Sequence, residues 1–373
     1  MTAAGPSWPR PTAAIEPTPP KMPPPRKGRG AISNDAGRFE RERRESFDDG
    51  WSTADEQPPP LRTSLTPDAS RTVISRNQSP DIPFDVSINP YRGCEHGCIY
   101  CYARPTHAWL GLSPGLDFES KLFFKPDAAA RLRDELARPG YRCSPIALGS
   151  NTDPYQPAER KLGVTRSILE VLLEARHPVR IVTKSALVER DLDLLTRMAA
   201  NNLCTVSVSV TTLDRHLARR MEPRAAAPAR RVRTVRTLSE AGVPVNVLVA
   251  PIIPVLTDSE IEAILAQVRE AGACSAGYVL LRLPLEIKDL FAEWLEIHFP
   301  LKASHVMQRV YDTRGGKAND PTFGQRMRGT GEYAKLIARR FSLAVKRLGF
   351  PGDPPLDASR FAPGSGAAQM PLF

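Results

Sequence analysis

The 373-residue chain has no run of about 18 or more apolar residues, so nothing in it reads as a membrane-spanning helix. Its opening stretch, MTAAGPSWPRPTAA, has no apolar segment of the signal-peptide kind, and no secretory leader is expected. Cysteine is scarce: six residues in all, three of them crowded together. That argues against a disulfide framework and for a reducing compartment, with the cytoplasm as the expected location. Acidic residues fall short of basic ones, 41 against 51, for a net charge of +10 and a pI near 9.5. Such a balance favours polyanionic partners such as nucleic acid, although the charge is spread along the chain. The remaining composition, 41% hydrophobic and 25% charged, is that of a soluble globular protein.

What is present is concentrated in Asn89-Pro90-Tyr91-Arg92-Gly93-Cys94-Glu95-His96-Gly97-Cys98-Ile99-Tyr100-Cys101-Tyr102. Cys94, Cys98 and Cys101 are spaced C-x3-C-x2-C, which is the spacing of metal or cluster ligation. Gly93 and Gly97 precede two of them and would let the backbone fold the sulfurs toward one place. Structural zinc takes four protein ligands, so a zinc knuckle would have to recruit His96 or His107. In an iron–sulfur cubane three thiolates leave one of the irons open to a substrate or cofactor. A cluster used only for electron transfer is the third reading.

The triad with Tyr100 before its last cysteine resembles the cluster loop of the radical SAM superfamily. The wider string CEHGCIYCYARPTH resembles the branch related to spore photoproduct lyase, which includes bacterial proteins labelled DNA repair photolyase-like. The resemblance implies a [4Fe–4S] cluster on Cys94, Cys98 and Cys101, with S-adenosyl-L-methionine chelated at the open iron. It implies reductive cleavage of that cofactor to methionine and a 5′-deoxyadenosyl radical for C–H abstraction. An external one-electron donor of flavodoxin or ferredoxin type is part of the same expectation.

Along the chain, residues 1–25 read as a disordered proline-rich tail, and 26–85 as an irregular N-terminal arm packed partly on the core. From 86 to 285, β-branched runs alternate with helical stripes, the form of βαβ units. Strands are expected at 86–88, 145–149, 179–183, 205–210, 245–249 and 278–281. Thr257-Asp258-Ser259-Glu260 reads as a capping box, followed by the stripe Ile261, Ile264, Leu265 and Val268. Residues 286–350 read as a C-terminal α-rich extension and 351–373 as a flexible tail. The pattern alone supports an α/β fold with mostly parallel strands. The resemblance sharpens it to a partial (β/α)6 barrel with an N-terminal arm and a C-terminal helical extension.

In parallel α/β folds the carboxyl ends of the strands face the ligand. Ser150, Thr152, Asp153, Lys184 and Ser209 fall there and are the cofactor-binding candidates, with Tyr100 and the Ala250–Pro251 turn flanking adenine. The resemblance gives Lys184 and Thr152 contacts to the nucleoside, and matches Tyr100 and Tyr102 to two tyrosines beside the cluster, here taken as catalytic. Each hydroxyl also reads as a helix cap or turn residue. Aligned on Asp153, Ser150 stands where spore photoproduct lyases carry a hydrogen-donating cysteine. A serine O–H is a much poorer hydrogen-atom donor, so radical generation is expected and thymine-dimer reversal is not.

Cys143, Cys204 and Cys274 read as structural thiols. Glu119, Lys121 and Lys125 read either as substrate-facing or as a helix-start charge cluster. Residues 311–317 and 323–329, rich in arginine, glycine and aromatics, read either as a loop that follows a phosphate backbone or as a plain surface loop. Nucleic acid is the first substrate reading. Alternatives are a peptide or small metabolite, or a non-catalytic iron–sulfur or zinc protein that binds nucleic acid.

Overall fold

The computed structural model describes residues 24–40 and 60–363, so nearly all of the expected proline-rich tail lies outside the described residues. Six strands build the core: β1 (Val86–Ile88), β2 (Ile146–Leu148), β3 (Val179–Thr183), β4 (Cys204–Ser209), β5 (Val245–Ile252) and β6 (Ser275–Leu280). They pair in parallel in the order β6-β5-β4-β3-β2-β1, and Ile74–Arg76 adds an antiparallel edge beside β1. Register runs through apolar partners such as Val86 with Ile146 and Val206 with Val245. Parallel neighbours need crossover connections, and helices supply them.

These helices are α1 (Ala128–Leu136), α2 (Val164–Glu174), α3 (Leu192–Ala199), α4 (Pro228–Glu240) and α5 (Ile261–Glu270). Each turns one apolar stripe inward; α5 buries Ile261, Ile264, Leu265 and Val268, as its spacing predicts. The capping box in front of it does not form. Thr257 Oγ1 accepts from Ile253 N at 2.8 Å, and the Glu260 carboxylate is taken by Thr212 Oγ1 at 2.9 Å and Leu213 N at 2.5 Å. A distant loop has outbid the local motif, and α5 begins after a 3₁₀ turn.

The sheet is open, since among the described residues its two edges do not pair. Over the carboxyl ends lies a second apolar cluster that joins Ile99, Tyr100 and Met221 to Leu281, Leu283, Phe291 and Trp294. Phe291 and Trp294 belong to α6 (Ile287–His298), which is followed by α7 (Pro300–Asp312) and α8 (Gly331–Leu348). At the other end of the strands the chain returns after α8. There Gly352 N donates to Cys274 O at 2.8 Å and Ala362 N to Ala175 O at 3.0 Å, so residues 351–363 dock where a tail was expected.

Candidate active site

The cysteine loop follows β1 and is pinned along its length. Cys94 N donates to Phe118 O at 2.9 Å and Ile99 N to Met221 O at 3.0 Å. Gly93 and Gly97 have φ of 77° and 66°, the left-handed region that glycine tolerates. Space demands glycine as well: a Cβ on Gly97 would lie 2.7 Å from Glu119 Oε2. The guanidinium of Arg104, fully buried, donates to Cys98 O at 2.9 Å and Gly97 O at 3.2 Å, and pairs with Glu119 at 2.5 Å.

Glu119 is the hub of this frame. Besides Arg104 it accepts from Gly30 N at 2.9 Å and Ala31 N at 2.8 Å, and Arg29 Nη1 reaches its carbonyl at 2.5 Å. The N-terminal arm therefore locks onto the cysteine loop. A Cβ on Gly30 would fall 1.8 Å from Gly97 O, so no other residue fits there without moving the loop. Of the two readings of Glu119, neither describes this role. Lys121 pairs with Asp117 at 3.2 Å, and Lys125 donates to Asn89 O at 3.1 Å.

Cys94 and Cys98 are buried, Cys101 is partly so, and all three thiols are free. Burial pushes each thiol above its ordinary range, and for Cys94 the neighbouring Asp153 and the other two sulfurs add to the rise. A bound cation or cluster would reverse that cost by supplying the missing positive charge. Among the described residues no three His, Cys, Asp or Glu side chains converge on one point that would suit a single ion. Thiolates bound to different irons of a cubane do not need such a point, so the donor set fits a cluster better than zinc. Each candidate fourth ligand has one ring nitrogen beside an oxygen, although neither Nδ1 makes a hydrogen bond among the described residues. His96 Nδ1 lies 3.3 Å from Asp153 Oδ2, and His107 Nε2 sits 2.9 Å from Lys121 O.

The strand ends assemble the other candidates in one place, with unequal roles. Asp153 spends its oxygens on Tyr155 N at 2.9 Å, Thr183 Oγ1 at 2.7 Å and Lys184 N at 2.7 Å. Burial alone would raise its pKa; His96 and these hydrogen bonds bring it below the ordinary value. Thr152 donates its hydroxyl to Tyr91 O at 2.7 Å, which ties the β2 loop to the start of the cysteine loop. Ser150 Oγ accepts from Asn89 Nδ2 at 3.3 Å. Ser209, buried, ends β4, and its carbonyl accepts from Arg231 at 3.1 Å. Lys184 faces the sulfurs: its ammonium lies 5.8 Å from the centre of the Tyr100 ring and lowers the cost of charge on Cys98 and Cys101.

The two tyrosines are tied by their hydroxyls. Tyr100 donates to Glu222, which also accepts from Thr211 at 2.6 Å and pairs with Arg231. Tyr102 donates to Ser150 O and carries the Arg282 guanidinium over its ring at 5.0 Å. Arg282 follows β6, so this contact joins the loop after β1 to the far edge of the sheet and shows how far the sheet curls. The glycine- and arginine-rich segment is more structural than its composition indicates. Arg314 is buried and donates to the carbonyls of Leu280, Leu281, Gln325 and Arg326, and Arg326 is paired with Asp81 at 2.6 Å.

A loop carrying three cysteines at cluster-type spacing lies on the carboxyl ends of an open parallel sheet, and three thiolates there would leave one iron of a bound cubane without a protein ligand. The chain belongs to the radical SAM superfamily, whose family profile matches residues 88–268. The enzymes of that superfamily use a [4Fe–4S] cluster and S-adenosylmethionine, which are the cofactors of this enzyme, and they need an external electron donor. An uncharacterized Mycobacterium tuberculosis protein is 36% identical over 260 residues, 69% of this chain and 75% of its own length. An uncharacterized Methanocaldococcus jannaschii protein is 28% identical over 213 residues, 57% of this chain and 76% of its own. Spore photoproduct lyase with bound AdoMet and dinucleoside spore photoproduct shares the fold: TM-score 0.54 and 16% identity over 77% of this chain and 80% of that one.

Proposed function

We propose that the protein cleaves S-adenosylmethionine reductively and directs the resulting 5′-deoxyadenosyl radical at a C–H bond of a nucleic acid substrate. The observation that carries this reading is the gathering of three free thiols in a buried loop with Lys184 facing two of them. When bound, the cluster and its cofactor supply the radical chemistry. Cys94, Cys98 and Cys101 hold the cluster. Lys184 takes the carboxylate of the cofactor's methionine moiety, and Ser150 and Ser209 offer hydroxyls to its polar groups. Thr152 and Asp153 act through the shape they give the β2 loop. With their phenols anchored, Tyr100 and Tyr102 present fixed ring faces, and the apolar cluster around Trp294 keeps water from the site.

Support for a nucleic acid comes from the net charge of +10 and from the fold shared with a lyase solved with a dinucleoside. The missing thiol bears on the outcome. Cys143, Cys204 and Cys274 all stand at the amino ends of strands, away from the cysteine loop, so among the described residues no fourth thiol replaces Ser150 as hydrogen donor. The proposed reaction is therefore a modification rather than thymine-dimer reversal.

Anaerobic reconstitution followed by incubation with dithionite and S-adenosylmethionine tests the reading. Wild type should release 5′-deoxyadenosine, and a Cys94→Ala, Cys98→Ala, Cys101→Ala variant should not. A reducible cluster that yields none, with DNA and RNA oligonucleotides present, would assign the protein to electron transfer. Product made only with peptides or metabolites would replace the nucleic acid.

A further inference from the structure

Two cations border the cysteine loop without a hydrogen-bond acceptor among the described residues. Lys184 stands over Tyr100, and Arg282 over Tyr102. A partly buried guanidinium without a partner is costly, and burial lowers the pKa of Arg282 accordingly. The carboxylate that reaches Arg282 electrostatically is Asp81, but Arg326 already holds it through Nε at 2.8 Å and Nη2 at 2.6 Å. Leu281 and Leu283 on either side are buried in the second apolar cluster. Arg282 between them is half-buried and turns instead to the ring of Tyr102 at the mouth. The cofactor has one carboxylate, and Lys184 suffices for it.

We propose that Arg282, braced on Tyr102, is the anchor for one phosphodiester of the nucleic acid substrate, an inference that rests on the nucleic-acid reading of the site. A guanidinium fork matches the paired oxygens of a phosphate, and stacking on a ring holds the fork in place. Tyr102 is suited to the brace, because its hydroxyl is fixed on Ser150 O while the residue remains 46% exposed. The surroundings favour a phosphate over a lone carboxylate. Asp81, the nearby carboxylate, is neutralised by Arg326, whose guanidinium lies 4.8 Å from the centre of the Phe323 ring, which is 55% exposed and free to stack a base. Phosphate contact beside an exposed aromatic is the arrangement used for single strands.

The test is fluorescence anisotropy of the reconstituted protein with a labelled single-stranded DNA dodecamer across a salt series. Arg282→Met should weaken binding about tenfold and flatten the log–log salt slope by about 0.7, one phosphate's share for a single strand. Arg282→Lys should retain the slope and recover part of the affinity, and it answers the question alone if the methionine variant loses its far-UV dichroism. Unchanged affinity and slope in both variants would overturn the assignment of Arg282 and leave the nucleic-acid reading in place. A wild type that binds neither DNA nor the matching RNA would overturn both. Loss of S-adenosylmethionine binding in Arg282→Met would give the residue to the cofactor instead. Loss of binding to a glutamate-rich peptide, with DNA binding unaffected, would give it to a peptide carboxylate.

Discussion

The two ends of the parallel sheet are built to different standards. At the amino ends several groups answer one another, although Asn246 Oδ1 is buried without a partner. His177 Nδ1 donates to Pro178 O at 3.0 Å, its Nε2 accepts from Tyr141 at 2.8 Å, and Phe361 of the returning chain packs edge-on to its ring. Asp353 is bonded by Ser275 and by Asn246 at 3.4 Å. The three isolated cysteines lie at this end as buried or half-buried thiols. At the carboxyl ends the frame is just as complete beneath the cysteine loop, where Glu119, Arg104 and the arm satisfy each other. Above the loop it is not: the three thiols are free, and Lys184 and Arg282 have no hydrogen-bond acceptor among the described residues. One end closes the fold, and the other is the end at which the proposed function places its ligands.

That comparison can be broken from its most rigid part outward. Glu119→Ala would leave the Arg104 guanidinium buried without its carboxylate and free the arm. Such a loss costs about 3–5 kcal/mol, read as a drop in the urea midpoint of the apoprotein. A loss below about 1 kcal/mol would mean that the arm is only draped over the loop.

At the closed end, burial holds the His177 imidazole down to about 4, from an ordinary 6.5. The unfolded chain therefore takes up its proton at higher pH than the folded one. The stability tied to His177 is fully present above about pH 6.5 and is lost as pH falls toward 4, some 3 kcal/mol across that window. Comparing wild type with His177→Gln from pH 7.5 to 4.5 isolates it. Parallel curves would show that the ring is not buried neutral.

At the open end, Lys184→Met should weaken S-adenosylmethionine binding on the order of tenfold, about 1.4 kcal/mol. Its melting temperature should stay level or rise, since an unpaired cation is removed. A clear loss of stability with unchanged cofactor affinity would make Lys184 structural. The smallest effect belongs to Cys274→Ser, at the amino ends, which should leave the rate of 5′-deoxyadenosine formation unchanged. A fall in that rate would link the two ends.

Much of the open end was readable in advance, because its candidate ligands are local. Cys94, Cys98 and Cys101 lie within eight residues, and every strand that delivers a candidate is a short β-branched run between turns. Strand limits shifted by only a few residues, most at β6, where Ser275, Ala276 and Gly277 conceal the start. The frame beneath was not readable. Residues 29–31 reach Glu119 through backbone N–H groups and one guanidinium, across nearly ninety positions, and leave no periodic trace. The Glu222–Arg231 pair is hidden for the same reason, as one arginine among four in α4. Arginine between glycines reads alike whether its fork meets phosphates or carbonyls. Arg314 met carbonyls, and the arginine left over was Arg282, which sits in no motif.

The central claim is that three thiolates hold a cluster with one open iron, and iron analysis joined to electron paramagnetic resonance tests it most directly. Anaerobically reconstituted, reduced protein should contain about four irons per chain and give a cubane signal that shifts when S-adenosylmethionine is added. Stoichiometric zinc without iron, or a cluster signal that the cofactor leaves untouched, would contradict it.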